Sequence, residues 1–188
     1  ALRLIKVNYK EMPFVVREEK ARNTNSPQVF SGEDNIRQGK PKTDGDISTG
    51  FQNASAIVEA TYRTQVQTHA CLETHGAVAK WDGTHLTVWC STQAISAVKN
   101  ELVSNLGLKG SQVRVICEHM GGGFGSKFGA GSYGIMAAKL AQQADAPVKL
   151  MLTRNDEFLC VGNRPSSIQK IKAGASKDGR ITAFQMES

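Results

Sequence analysis

The sequence predicts an α+β fold in which mixed sheets with strand hairpins accompany two main helices. Three observations support this prediction. Apolar and polar residues alternate in several short segments, glycine-containing turns separate two pairs of these segments, and two longer segments repeat apolar residues every 3.6 positions. With 188 residues, of which 40% are hydrophobic, the chain is long enough to bury a substantial core.

The first fifty residues are expected to lie before the main domain. An N-terminal strand is indicated by closely spaced apolar residues, namely Leu2, Leu4, Ile5, Val7 and Tyr9. We predict that residues 1–20 end a preceding domain. Residues 21–50 are rich in Asn, Gly, Pro, Ser and charged residues, which predicts a linker. Residues 51–188 then form the main domain.

The main domain is predicted to begin with strands. Residues 56–62 alternate in polarity and predict the first strand. Two further strands, 71–81 and 85–90, flank Asp82-Gly83, a pair that favours a hairpin turn. A second hairpin is predicted from strands 167–175 and 181–186, which flank a turn at 177–180.

The two helices lie between these hairpins. The first is predicted over 92–106, with Ser91 or Thr92 as its N-cap and Gly107 ending it. The second is predicted over 132–143, before Asp145-Ala146-Pro147. Short strands are predicted before and after the second helix, at 112–117 and 148–152.

Composition excludes several classes of protein. The net charge of +6 comes from dispersed basic residues, and three Tyr and two Trp offer few stacking surfaces, so nucleic-acid binding is not expected. An anionic ligand or an acidic partner would suit the same charge. No segment has the roughly 20 apolar residues of a membrane span. The four cysteines lack cluster or knuckle spacing and are interpreted as reduced thiols of a cytoplasmic protein.

A glycine-rich segment, Gly121-Gly122-Gly123-Phe124-Gly125-Ser126-Lys127, stands between a predicted strand and a predicted helix. Glycines allow a ligand to approach the backbone closely, and successive N–H groups bind oxyanions. The spacing fits neither the dinucleotide-binding GxGxxG motif nor the phosphate-binding GxxxxGK[ST] motif. On the segment alone, a tight turn that solves a packing problem remains an equal alternative.

Three other clusters of residues carry weaker signals. His69, Cys71, Glu73 and His75 alternate as on one strand face, but such a face spreads them over roughly 20 Å, too far for one zinc ion. A polar strand face lining a pocket is favoured there. Taken alone, the segment Ser91-Thr92-Gln93 is interpreted as the N-cap of a helix. Cys117, two residues before His119, is interpreted as a core cysteine rather than a nucleophile.

Taken in order, Leu72-Glu73-Thr74-His75, Ser91-Thr92-Gln93, the glycine-rich segment and Gly162-Asn163-Arg164-Pro165 resemble the molybdopterin-binding large subunit of the xanthine dehydrogenase and aldehyde oxidase family, the molybdenum hydroxylases. The resemblance implies that residues 1–20 end an α/β-hammerhead domain. It implies further that residues 51–188 are the first part of the molybdopterin cofactor-binding domain.

The resemblance also implies roles for individual residues. Gln93 and Phe124 would lie near molybdenum. The residues that bind the cofactor would be Gln93, Gly122, Gly123, Phe124 and Gly125. Glu73 and Phe128 would line the substrate pocket. In xanthine dehydrogenases a substrate-recognising Glu follows the loop Lys, so Phe128 at that place favours an aldehyde or an apolar N-heterocycle.

The reaction implied is hydroxylation of an electrophilic carbon with oxygen from water. Electrons would leave through 2Fe-2S clusters and FAD on other domains or subunits. The cofactor would be molybdenum-molybdopterin, with the cytosine dinucleotide form as one option. Partners would be the rest of the large subunit, the iron-sulfur and FAD components and a small-molecule substrate. The location would be cytoplasmic, with periplasmic export beside a partner subunit as the alternative.

The family's catalytic Glu belongs to its C-terminal half, so no catalytic base is expected among these 188 residues. The chain, which begins with Ala1, is interpreted as a fragment that is inactive in isolation. Two alternatives stay open at this point. One is a nonenzymatic α+β domain that binds an anion or a partner chain, and the other is a zinc hydrolase using His69, Glu73 and His75.

Overall fold

The computed structural model describes residues 4–32 and 34–188. The chain divides into two compact units: residues up to Thr64 join Ser166–Ser188 in the first, and Gln65–Pro165 form the second. The helices are α1 (Glu18–Ala21), α2 (Ile47–Gln52), α3 (Ile95–Leu106), α4 (Gly131–Ala144) and α5 (Arg154–Cys160). The strands are β1 (Ala56–Thr64), β2 (Gly76–Asp82), β3 (His85–Cys90), β4 (Val113–Ile116), β5 (Val148–Met151), β6 (Ser167–Ala175) and β7 (Ile181–Glu187). The predicted α+β class is confirmed.

The first unit is built on an antiparallel sheet with the order β1-β6-β7. The predicted hairpin of β6 and β7 is confirmed, and the Ser176 N–H donates to Arg180 O at 2.9 Å to close its turn. Helix α2 packs against β7. Its N-terminus is capped by Asp46, whose carboxylate accepts hydrogen bonds from Ser48 N and Thr49 N.

The N-terminal strand was predicted wrongly. Within the described residues no strand forms between Ile5 and Val16, and Val7 and Tyr9 are exposed; Leu2, part of the same prediction, lies outside the described residues. An apolar alternation cannot make a strand without a neighbour to complete its backbone hydrogen bonds. The segment predicted as linker carries no strand but holds part of α1 and most of α2. The domain boundaries at residues 20 and 50 stay predictions.

The second unit is a mixed sheet with the order β4-β3-β2-β5, against which α3 and α4 pack. The predicted hairpin of β2 and β3 is confirmed; β4 joins β3 in parallel and β5 joins β2 antiparallel. Leu86 and Val88 of β3 are buried together with Ala137 and Ala138 of α4. The indole N–H of Trp81 donates to Ala138 O at 2.8 Å, which fastens α4 to the sheet.

Several boundaries differ from the sequence prediction. Strand β2 begins at Gly76 rather than residue 71, because Ala70 adopts a left-handed φ of 45° and the next residues turn toward the glycine-rich segment. Helix α3 begins at Ile95 with Ala94 at its N-cap position, so the predicted N-cap at Ser91 or Thr92 was wrong, whereas Gly107 ends the helix in the left-handed conformation as predicted. Helix α5 was not predicted, since seven residues are too few to show a helical period. Among the helices of the described residues, none combines the length and the apolar character of a membrane span.

Candidate functional site

The segment 121–127, called the glycine loop below, connects β4 to α4 through a compact turn. Gly122, Phe124 and Gly125 have φ values of 98°, 51° and 99°, and Ser126 N–H donates to Gly123 O at 2.9 Å. A left-handed φ is unusual for a phenylalanine and indicates that its surroundings impose it. Its side chain is 70% exposed, so the turn presents an aromatic ring at the surface of this unit.

Gln93 approaches this loop from the start of α3. Its Oε1 accepts a hydrogen bond from Gly125 N at 2.8 Å, and its own N–H donates to Lys127 O at 2.8 Å. Because a backbone N–H can only donate, the atom facing it is the amide oxygen, which directs Nε2 elsewhere. Gln93 is exposed and its Nε2 has no hydrogen-bond partner in the described part of the chain. The loop therefore holds a free amide donor in a fixed orientation.

Both ends of the glycine loop are attached to one carboxylate. Glu73 Oε2 accepts from Gly121 N at 2.7 Å and from Lys127 Nζ at 3.1 Å. The Lys127 side chain is 0% exposed and also donates to Glu73 O and to Ser91 Oγ, each at 3.0 Å. All three of its N–H donors are thus satisfied. We call this arrangement the Glu73–Lys127 clamp.

Opposing effects act on the pKa of the Glu73 carboxyl. Burial raises it, but hydrogen bonds from Ser91, Gly121 N–H and Lys127, together with the charge of Lys127, bring the pKa below its ordinary 4.5. Glu73 is therefore ionised at neutral pH. Its placement in a substrate pocket stays a prediction, since the structure shows Oε2 engaged in the clamp.

A buried pair supports the loop from another direction. His75 Nδ1 lies 2.8 Å from Glu157 Oε1, the His75 backbone N–H donates to Glu157 Oε2 at 2.9 Å, and Nε2 lies 3.2 Å from Ser126 O. Ser126 O and the Glu157 carboxylate are both hydrogen-bond acceptors, so each ring nitrogen of His75 faces an acceptor. Tyr133 packs edge-on against the imidazole, and burial raises the pKa of its phenol.

The strand face proposed from His69, Cys71, Glu73 and His75 does not form. Glu73 binds Lys127 and His75 binds Glu157, while the Cys71 thiol donates to Gly123 O at 3.5 Å. Among residues 4–32 and 34–188 no group of three His, Cys, Asp or Glu side chains could hold a metal ion. The zinc hydrolase interpretation was therefore wrong, because turning of the segment after Ala70 separates the side chains.

The cysteines show no sign of nucleophilic activation. Cys117 Sγ contacts the backbone of Thr92 and His119 O at 3.5 to 3.6 Å, with no basic side chain hydrogen-bonded to it among the described residues. Burial, together with the neighbouring Cys117, raises the pKa of the Cys90 thiol to about 11. The core-cysteine interpretation agrees with these contacts.

The sequence-predicted site residues meet at one place, and two supporting residues were missed. Gln93, Gly123, Phe124 and Gly125 lie together. Phe128 follows the clamp lysine and is 51% exposed. Glu157 could not have been linked to His75, since 82 positions separate them. For Lys127 the sequence offered one signal, namely a lysine close behind a run of glycines.

A molybdenum-pterin group suits the chemistry of these residues. A Cβ built on Gly123 would stand 2.7 Å from Gln93 Cδ, so only glycine leaves room for the amide beside the loop. The free amide donor of Gln93 suits a hydrogen bond to an oxygen ligand of molybdenum. The left-handed glycines keep the loop backbone free of side chains.

The family model described as the molybdopterin cofactor-binding domain matches residues 29–188. The aldehyde oxidoreductase molybdenum-binding subunit PaoC of Escherichia coli (strain K12) is 37% identical over 147 residues, 78% of this chain and 20% of that protein. The nicotinate dehydrogenase large molybdopterin subunit of Eubacterium barkeri is 34% identical over 188 residues, 100% of this chain and 44% of that protein. The chain thus spans less than half the length of these relatives.

Solved structures show the same fold. The aldehyde oxidoreductase from Desulfovibrio gigas matches with a TM-score of 0.81 and 24% sequence identity, covering 94% of this chain and 20% of that chain. The family model and the relatives of known name favour the molybdenum hydroxylase interpretation over a nonenzymatic anion-binding domain. From the family model and the arrangement of the glycine loop, the chain belongs to the molybdopterin cofactor-binding domain family of the molybdenum hydroxylases.

Proposed function

We propose that this chain forms the cofactor-binding part of an oxidoreductase that hydroxylates an aldehyde or an N-heterocycle with oxygen from water. The observation that carries the proposal is the fixed amide of Gln93, whose Oε1 is held by Gly125 N–H at 2.8 Å while Nε2 stays free to donate. The relatives described as acting on aldehydes and nicotinate support this class of reaction.

In this proposal Gln93, Gly122, Gly123, Phe124 and Gly125 contact the cofactor. When bound, the molybdenum group supplies the two-electron redox chemistry. The chain's own contribution is to orient a neutral hydrogen-bond donor toward an oxygen ligand and to hold the loop backbone open beside it. Phe128, half-exposed after the loop, would contact hydrocarbon parts of the substrate, and Glu73 would border the same pocket through its exposed edge.

Replacing Gln93 with Glu tests the donor role directly. The carboxylate keeps an oxygen that accepts from Gly125 N–H, so the contact with the loop stays. It replaces the donating amide group by a second acceptor, so the hydrogen bond proposed to an oxygen ligand of the cofactor should be lost. We expect turnover by the full-length holoenzyme to fall by about 10²-fold. Steady-state kinetics with aldehyde and an electron-accepting dye, normalised to molybdenum content, measure this. Unchanged kinetics at equal molybdenum content would contradict the proposed role.

Replacing Gly123 with Ala tests the space beside the loop. The new methyl would displace Gln93 or the loop backbone, since its place lies 2.7 Å from Gln93 Cδ. We expect pterin and molybdenum content per full-length protein to fall severalfold. Gly110→Ala is the matched control, because a Cβ there meets only Lys99 Cε at 3.9 Å. Equal cofactor content in the two variants would argue against a tight cradle.

The finer assignments form part of the same proposal. The pterin would carry a cytosine dinucleotide, and electrons would pass to 2Fe-2S and FAD components on partner domains or subunits. Residues 1–20 would end an α/β-hammerhead domain, with a linker over 21–50 and the cofactor domain from 51. The complete enzyme would be cytoplasmic. Mass spectrometry of the released pterin and absorption spectra of the purified complex test the cofactor assignments.

A further inference from the structure

A cavity of about 370 Å³ opens beside the glycine loop, and it shares Phe124 with the proposed cofactor site. Gln67, Thr68, His69, Phe124 and Arg164 line it. Two backbone hydrogen bonds between Gln67 and Arg164, at 3.1 and 2.8 Å, hold its two outer segments together. Its volume falls within the range of small-molecule sites.

The lining of this cavity carries positive charge without compensation. Arg164 forms no ion pair with a carboxylate in the described part of the chain, and the lining residues include neither Asp nor Glu. His69 Nδ1 is buried and has no hydrogen-bond partner among the described residues. Buried polar atoms of native proteins are nearly always paired, so this nitrogen indicates a missing partner. A carboxylate suits this place if Nδ1 is the protonated nitrogen of His69, because the imidazole N–H and the guanidinium of Arg164 would then both donate hydrogen bonds to its oxygens.

The remaining lining is aromatic and borders the proposed reaction site. The left-handed φ of Phe124 leaves its side chain 70% exposed, so its ring offers a surface for stacking. His69 Nε2 lies 4.0 Å from the position that a Cβ on Gly125 would occupy, and Gly125 N–H is the group that anchors Gln93. His69, on one side of the cavity, therefore lies close to Gly125, the residue that anchors the Gln93 amide.

We propose that this cavity selects aromatic substrates that carry a carboxylate. Arg164 and His69 bind the carboxylate, and Phe124 packs against the ring. The inference rests on the proposed hydroxylase function, because it assigns the substrate class for that reaction.

The experiment compares two aldehydes that differ only in the carboxylate, benzaldehyde and 4-formylbenzoate, with the full-length holoenzyme. In Arg164→Gln we expect kcat/KM for 4-formylbenzoate to fall by about tenfold or more, mainly through KM, while kcat/KM for benzaldehyde changes less than about twofold. Arg164→Lys should retain part of the preference. Arg114→Gln, an equal loss of charge at an exposed residue of β4, is the matched control.

The possible outcomes separate this inference from the proposed function. Equal effects of Arg164→Gln on both aldehydes would overturn the carboxylate site, and so would a loss of pterin content, which would assign Arg164 to the cofactor. If the wild-type holoenzyme oxidises neither aldehyde, the proposed function loses support while the cavity is still tested by calorimetric titration with benzoate. Binding of benzoate that Arg164→Gln abolishes supports the site, and absence of binding to wild type refutes it.

Discussion

Replacing Lys127 with Met is expected to lower the free energy of unfolding by about 3 kcal/mol. The methionine fills most of the volume, but the Glu73 carboxylate loses its counter-charge and Ser91 loses a donor. This loss lies at the low end of the range for breaking a buried ion pair, because the Glu73 side chain is 37% exposed and water can solvate part of its charge. Chemical denaturation of the full-length protein measures it.

Two variants make this result interpretable. Lys80→Met, on an exposed position of β2, removes the same charge without breaking a clamp and should change stability little. Glu73→Gln combined with Lys127→Met removes the unpaired charge and should recover part of the loss. If Lys127→Met and Lys80→Met behave alike, Lys127 does not hold the loop.

The clamp also predicts a dependence of stability on pH. The folded-state pKa of Glu73 lies below its ordinary 4.5, so the stabilisation is fully present above about pH 4.5 and is lost as the pH falls through the lowered value. In Lys127→Met this part of the acid sensitivity should diminish. Acid unfolding curves of wild type and variant provide the comparison, and parallel curves would count against the clamp.

Replacing Glu157 with Ala is expected to lower the free energy of unfolding by about 3 to 5 kcal/mol. Glu157 is 1% exposed, and its removal leaves both the backbone N–H and Nδ1 of His75 without a partner in the core. Thermal unfolding of the full-length protein should show a lower Tm. Because His75 would then hold Ser126 less firmly, the cofactor content of the purified protein should fall as well.

Glu157→Gln is the matched variant for this test. Its amide oxygen can accept from His75 N–H, and its NH2 can donate to a neutral Nδ1, so the two hydrogen bonds survive without the charge. We expect it to recover most of the stability lost in Glu157→Ala. A loss as large as that of Ala would show that the charge, rather than the hydrogen bonds, is required.

The sequence predicted those features that depend on neighbours along the chain. The hairpin turn at Asp82-Gly83 and the end of α3 at Gly107 both follow from local backbone preference, and both are confirmed. The meeting of Gln93 with the glycine loop came only through the family resemblance, because 32 positions separate Gln93 from Gly125.

What could not be predicted depends on contacts between distant residues. His75 was read as part of a strand face because alternation alone indicated a strand, whereas its burial against Glu157 of the unpredicted helix α5 decides its role. The N-terminal alternation failed for the same reason, since a local pattern does not reveal whether a pairing partner exists.

The contacts that shape the glycine loop join segments that are far apart in the sequence. Lys127 meets Glu73 across 54 positions and His75 meets Glu157 across 82, so the shape of the loop depends on segments on both sides of it in the chain. Distant contacts of this kind form only after the chain between them has paid its loop-closure entropy. The conformation of the loop therefore depends on residues remote in sequence, and substitutions at Glu73 or Glu157 are expected to alter the loop without changing its own sequence.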